Sequence, residues 1–314
     1  MTIGSPGRIE ITATAARVFV VDDMTGVAAY AIAERALAWT ASLSTDLAPA
    51  AAADTLYLAA GTTLHALNEA TGSPRWAREV GGPIVALAAD ATGPLTASGR
   101  IVRAWLAEGS ARWESTLPAD VTRGLLAADE TFVYVVLTDQ SLVWLDRTTG
   151  VSRKALRLEA MPRAITVDRG AVYFGGADQT LYAYSQHGRQ WAFRKVDVIG
   201  APAVDERQVY VLTWDNNAVA FDRSNGGRRW RAGLGGRPAR GPWLAGDDLV
   251  ASLTSTVLAL VPRSTGPTGP RPAPTVGPPD FLLTATPSAD RTQAYGVIAL
   301  TDGSRRLVAY AKIK

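Results

Sequence analysis

The sequence predicts an all-β fold, an eight-bladed β-propeller of four-stranded antiparallel blades, and three observations carry that prediction. A short strand ending in a small-then-bulky pair recurs eight times: Ala29-Tyr30, Ala66-Leu67, Ala104-Trp105, Trp144-Leu145, Ala183-Tyr184, Ala220-Phe221, Ala259-Leu260 and Ala309-Tyr310. The bulky members are 37 to 40 residues apart until the last step, which is 50. A period near forty with little helical pattern between is the mark of a radial repeat built from four-stranded sheets. After most pairs comes a Gly-containing turn and then a tryptophan, which is the second observation. The third is that each repeat divides into four short runs rich in β-branched and aromatic residues.

Taken in order, the first repeat closes at Trp39, without the Gly. The second and third carry Thr71-Gly72 to Trp76 and Gly109 to Trp113. The fourth keeps Thr149-Gly150, but Lys154 stands where Trp is expected. The fifth reads as strands at 163–168, 171–175, 180–184 and 190–194, with His187-Gly188 leading to Trp191. The sixth reads as strands at 201–205, 208–212, 218–222 and 228–231, with Asn225-Gly226 leading to Trp230. Glycine supplies the positive φ of a tight turn, and the Trp one strand later is placed to bury a large apolar face between neighbouring sheets. Trp39, Trp76, Trp113, Trp191 and Trp230 are therefore expected to dock blade on blade.

In the seventh repeat, the Pro-rich insertion at 262–279 follows the third strand. That composition prefers extended polyproline geometry over a central strand. The eighth repeat supplies three strands, around 281–287, 294–300 and 306–312. The segment Arg8–Ile11 is expected to add the missing outer strand, closing the ring and leaving few open edges. The whole chain, 1–314, is expected to be a single propeller domain.

Composition narrows the function classes. The chain is 47% apolar and 19% charged, which suits one packed body of 314 residues. No run approaches the roughly 18 apolar residues of a membrane span. Zero cysteines remove disulfides and thiolate metal sites. The start lacks the charged-then-apolar layout of a signal peptide. The expectation is a cytoplasmic protein if Met1 is the native start, and an extracytoplasmic one if an exporting segment has been cut away. A monomer is expected. Net charge is only +3, and the dense basic stretch Arg228, Arg229, Arg231, Arg237, Arg240 alternates along strands. That pattern fits a solvated edge, not a phosphate track, so nucleic acid is not an expected partner.

The repeat resembles the pyrroloquinoline-quinone-like (PQQ-like) propeller repeat. The segments that carry the likeness are Val-Tyr-Phe-Gly-Gly-Ala-Asp-Gln-Thr-Leu-Tyr-Ala-Tyr at 172–184 and Thr-Leu-His-Ala-Leu-Asn-Glu-Ala-Thr-Gly-Ser-Pro-Arg-Trp at 63–76. That family includes quinoprotein alcohol dehydrogenases, a propeller lipoprotein of the bacterial outer-membrane assembly machine, and sensor propellers attached to bacterial kinases. The resemblance implies the fold and leaves the function open, because the repeated residues are structural. The dehydrogenases hold calcium with a Glu, an Asn and an Asp, and many set a disulfide of adjacent cysteines against the quinone. This chain offers no such cluster at comparable positions, so no cofactor and no metal is expected. Asp139, Asp178, Asp215 and Asp302 recur where a hairpin turn favours Asp.

What remains for function is the funnel face. Arg123, Arg163, Arg240 and Trp243 fall where the chain enters inner strands, and Trp214 and Asp215 fall in a loop on the same face. Converging arginines suit a small anionic ligand or a partner protein's acidic segment, and an exposed aromatic suits a binding anchor. The structural alternative is that these arginines pair with Asp120 or Asp197 and lace the blades together. The sequence reading is a non-catalytic binding scaffold or sensor. The alternative is a small-molecule enzyme that uses the funnel as its active site, and a quinoprotein oxidoreductase comes last.

Overall fold

The computed structural model describes residues 9–22, 25–45, 47–90, 92–254, 258–263, 271–272, 281–287, 294–299 and 305–310. Every regular element among them is a β-strand, and there is no helix. The fold is a β-propeller of four-stranded antiparallel blades, each with its strands in sequential order. Blades 1 to 7 span residues 9–41, 50–79, 86–116, 121–157, 166–194, 198–233 and 238–272.

Two expectations are corrected here. Seven sheets have four strands, not eight; the last, at 281–310, is three-stranded among the described residues. The N-terminal segment does not complete that sheet. Ile9–Ala13 pairs with Arg17–Asp22 as the first strand of blade 1, with Ile9 opposite Asp22. Burial explains the choice, since Ile9 and Ile11 are both nearly inaccessible there. In the Pro-rich insertion, Arg271–Pro272 forms a two-residue outer strand against Ala259 and Leu260. The stretches 264–270 and 273–280 lie outside the described residues, as do Asp46 and Asp302.

The chain divides into two compact units, Met1–Ala128 with Val133–Arg153, and Asp129–Phe132 with Lys154–Lys314. The boundary falls at Lys154, where the repeat loses its tryptophan. In unit 1, one apolar cluster joins blades 1 and 2 through Phe19, Val21, Leu56 and Leu58. Others join blades 2 and 3 around Tyr57, Leu64 and Trp105, and blades 3 and 4 around Leu95, Trp113, Val135 and Leu145. In unit 2, clusters join blades 5 and 6 around Tyr173, Trp191, Val211 and Phe221, and blades 6 and 7 around Tyr210, Leu212, Leu249 and Val261.

The small-then-bulky pair has a mechanical reason. Ala29, Ala66, Ala104, Ala183 and Ala220 each sit directly opposite the blade's tryptophan. The register then shifts between the alanine and the bulky residue that follows. A small side chain leaves room for the indole, and the bulge turns the next side chain into the core.

Each indole N–H then donates to a backbone carbonyl of the following blade. Trp39 reaches Glu69, Trp76 reaches Ala107 and Trp113 reaches Arg147, at 2.9, 2.7 and 2.9 Å. Trp191 reaches Arg223 and Trp230 reaches Arg263, at 2.9 and 3.2 Å. The arginines that supply these carbonyls also reach back with their side chains. Arg147 pairs with Asp90, Arg223 with Asp168 at 2.5 Å, and Arg263 with Asp205 at 3.0 Å. Asp90 and Asp168 end the first strand of the preceding blade and Asp205 directly follows it, so one residue ties two blades at two points. Burial favours the protonated form of Asp205, but the Tyr210 hydroxyl, the Arg207 and Gln208 amides and Arg263 outweigh it and lower its pKa.

Candidate functional site

A hollow of about 410 Å³ opens in unit 2 between blades 5 and 6. One wall is Phe193, near the end of the outer strand of blade 5, Gly188–Arg194, with the chain that follows it to Asp197; the other is the third and outer strands of blade 6, Asn217–Asp222 and Arg228–Gly233. Strand alternation sends Phe193 and Phe221 into the gap, where their rings meet at 4.8 Å between centroids. Val196 and Val219, both buried, complete an apolar floor.

The rim is polar and aromatic. Trp214 stands on the turn between the second and third strands of blade 6, with 44% of its surface exposed. Asn216 takes a left-handed φ of 63° in that turn, a conformation Asn tolerates better than most residues. The Arg237 guanidinium lies 4.6 Å over the indole ring, fixing the exposed aromatic from one side. Asp215 accepts a hydrogen bond from the Thr213 hydroxyl and an ion pair from Arg231 at 2.5 Å. The Thr213 hydroxyl, with help from Asn217 and Arg231, holds the Asp215 carboxyl below its usual range. Asp197, on the chain passing from blade 5 to blade 6, pairs with Arg163 at 3.4 Å.

Of the residues singled out in the sequence, Trp214 and Asp215 line this hollow, and Arg163 reaches its Asp197. Arg240 is half-buried on the first strand of blade 7, opposite Ser252. Trp243, on the same strand, packs close to Gly241. Arg123 belongs to unit 1, exposed on the bulged first strand of blade 4. Sequence reasoning passed over Phe193 and Lys195, and read Arg228, Arg231 and Arg237 as part of a solvated basic edge and not as a site.

A second hollow of about 840 Å³ lies where the first-to-second-strand turns of blades 5 and 6 meet Asp222–Ser224. Its cations other than Arg207 are matched: Arg223 with Asp168, Arg229 with Asp222, and Arg169 with Glu206. Among the described residues no group of three or more His, Asp or Glu side chains is placed to hold a metal ion. No helix among them is long and apolar enough to cross a membrane.

A family model described as outer membrane protein assembly factor BamB matches residues 2–105, 97–196 and 190–268. The match takes in most of the chain and ends in blade 7. No curated protein sequence matches the chain. Among solved structures, the computationally designed Ika8 protein superposes with a TM-score of 0.78 at 13% identity, covering 99% of this chain and 98% of that one. BamB from Moraxella catarrhalis superposes with a TM-score of 0.68 at 17% identity, covering 96% of each chain. At these identities the likeness speaks for the fold.

Proposed function

Because the chain belongs to the outer membrane protein assembly factor BamB family, we propose that it is a non-catalytic scaffold that binds a polypeptide partner through the loop side of blades 5 to 7. The observation that carries this reading is Trp214, a large aromatic held out in solvent. An indole left 44% exposed forgoes burial and acts as an anchor only when a partner covers it. The Arg237 stack reduces the freedom that ordering it on binding would cost. The carboxylates nearby favour binding over proton transfer. Thr213 and Arg231 hold Asp215 in its charged form, so it is not poised as a proton donor near neutral pH, and Asp197 is engaged in an ion pair with Arg163. The family's description refers to assembly of outer membrane proteins, and a scaffold role for this chain fits it.

The test is a photo-crosslinking amino acid placed at position 214 in the native cells. One discrete protein adduct, reduced by Arg231→Glu, is the expected result. No protein adduct on irradiation would overturn the reading.

A further inference from the structure

Resting on that scaffold reading, we propose that the hollow between blades 5 and 6 takes an acidic segment of the partner polypeptide, with one aromatic side chain seated on Phe193, whose ring is backed by the buried Phe221. Charge comes first. Most charged groups around this hollow are paired within the protein, as Arg231 is with Asp215 and Arg163 with Asp197. Lys195 and Arg228 line the same hollow, are exposed, and make no side-chain hydrogen bond or ion pair among the described residues. Two unmatched cations over an apolar floor ask for carboxylates flanking an apolar group.

The backbone points the same way. In blades 2, 3 and 6 the residue four places after the tryptophan, Val80, Leu117 or Leu234, donates its N–H back to the blade's second turn, at Thr62, Arg100 and Asn216. In blade 5 that role falls to Val196, five places after Trp191, bonded to Gln179. The extra residue is Lys195, held at a left-handed φ of 61°. Such a conformation is costly for a lysine, and here Lys195 is exposed on the lining of the hollow. Phe193 is also particular to this blade. The residue two places after the tryptophan is Ala41, Arg78, Ser115 or Ala232 in the others. The occupant is a polypeptide because the hollow borders the outermost strands of two blades, at Phe193 and at Arg228 and Arg231, and among the described residues the outer edges of these strands have no partner in the sheet. An extended chain can lie there.

The experiment is fluorescence anisotropy with a labelled peptide, Gly-Asp-Glu-Phe-Asp-Glu-Gly, against the whole chain. Its amide counterpart with Asn and Gln, its Phe-to-Ala counterpart, and free phenylacetate are the comparisons. The acidic aromatic peptide should bind most tightly, weaken with added salt, and lose about tenfold in affinity when Lys195→Glu and Arg228→Glu are combined. Both side chains are exposed, so that variant should fold normally. Equal affinity for the amide peptide, indifference to the double reversal, or displacement by phenylacetate at equal concentration would each overturn the proposal. Failure here is separable from failure of the scaffold reading. A 214 adduct that survives the double reversal sinks the acidic-segment inference alone, whereas loss of every protein adduct sinks the scaffold.

Discussion

An alanine Cβ at Gly226 would lie 2.6 Å from the Trp191 indole, and the same approach recurs at Gly72, Gly109 and Gly150 against Trp39, Trp76 and Trp113. The turn glycine therefore has two duties, a positive φ and a bare Cα on which the indole of the preceding blade rests. These can be separated by substitution. Gly61 has a φ of 61° and open space at its Cβ. Gly61→Ala should cost about 1–2 kcal/mol, the strain of a left-handed alanine. Gly226→Ala should add about 1–3 kcal/mol of overpacking to a similar strain. Trp191→Ala should cost about 3–5 kcal/mol, because the indole is almost wholly buried. Urea midpoints measure all three, and equal losses at Gly61 and Gly226 would contradict the docking account.

At the scale of the element, the outer strand of blade 5 links fold to site. Its one-residue excess leaves Lys195 beyond the ladder, where it lines the hollow together with Phe193. Deleting Lys195 restores the four-residue spacing of blades 2, 3 and 6. The deletion should leave the urea midpoint unchanged or raise it, because a strained residue is lost. Affinity for the acidic peptide should fall about tenfold, by anisotropy; unchanged affinity would show that the extra residue has no part in binding. Much of the strand pattern was legible because Ala, Trp and Gly recur at fixed spacing for steric reasons that every blade shares. The site was less so. Trp214 and Asp215 stood out as an aromatic and an acid in one turn, but Phe193 looked like ordinary strand sequence. Lys195 shows only when the distance from Trp to the next apolar plug is compared between blades. The N-terminal strand was misassigned because its pairing with Arg17–Asp22 depends on burial of Ile9 and Ile11, which a hydrophobic run alone does not place. The Arg–Asp latches were also missed: they join residues 55 to 58 positions apart in the chain, and Arg147 sits inside a plain turn motif, Asp-Arg-Thr-Thr-Gly.

For the molecule as a whole, many carboxylates are held below their ordinary pKa, which sets the acid limit of stability. Hydrogen bonds from Arg153 and Thr149 bring Asp146 to about 2. Asp222, bonded by Ser224 and Arg229, and Asp205 are also lowered. A lowered carboxylate stabilises the fold above its unfolded pKa, near 3.9, and that contribution is lost as pH falls through the folded value. The urea midpoint should therefore drop between about pH 4 and pH 2. His65, whose pKa burial lowers despite Glu79, adds a smaller decline beginning below about pH 6.5, where the unfolded chain takes up the proton first. A midpoint constant down to pH 2 would contradict this. The central claim, that the hollow of blades 5 and 6 is the binding surface, is tested most directly by hydrogen–deuterium exchange of the protein with and without the partner identified at position 214. Protection confined to the strands and turns carrying Phe193 to Asp197, Thr213 to Asn217 and Arg228 to Arg231 is the result expected. Protection centred instead on Arg169, Glu206 and Arg207, around the second hollow, would contradict it.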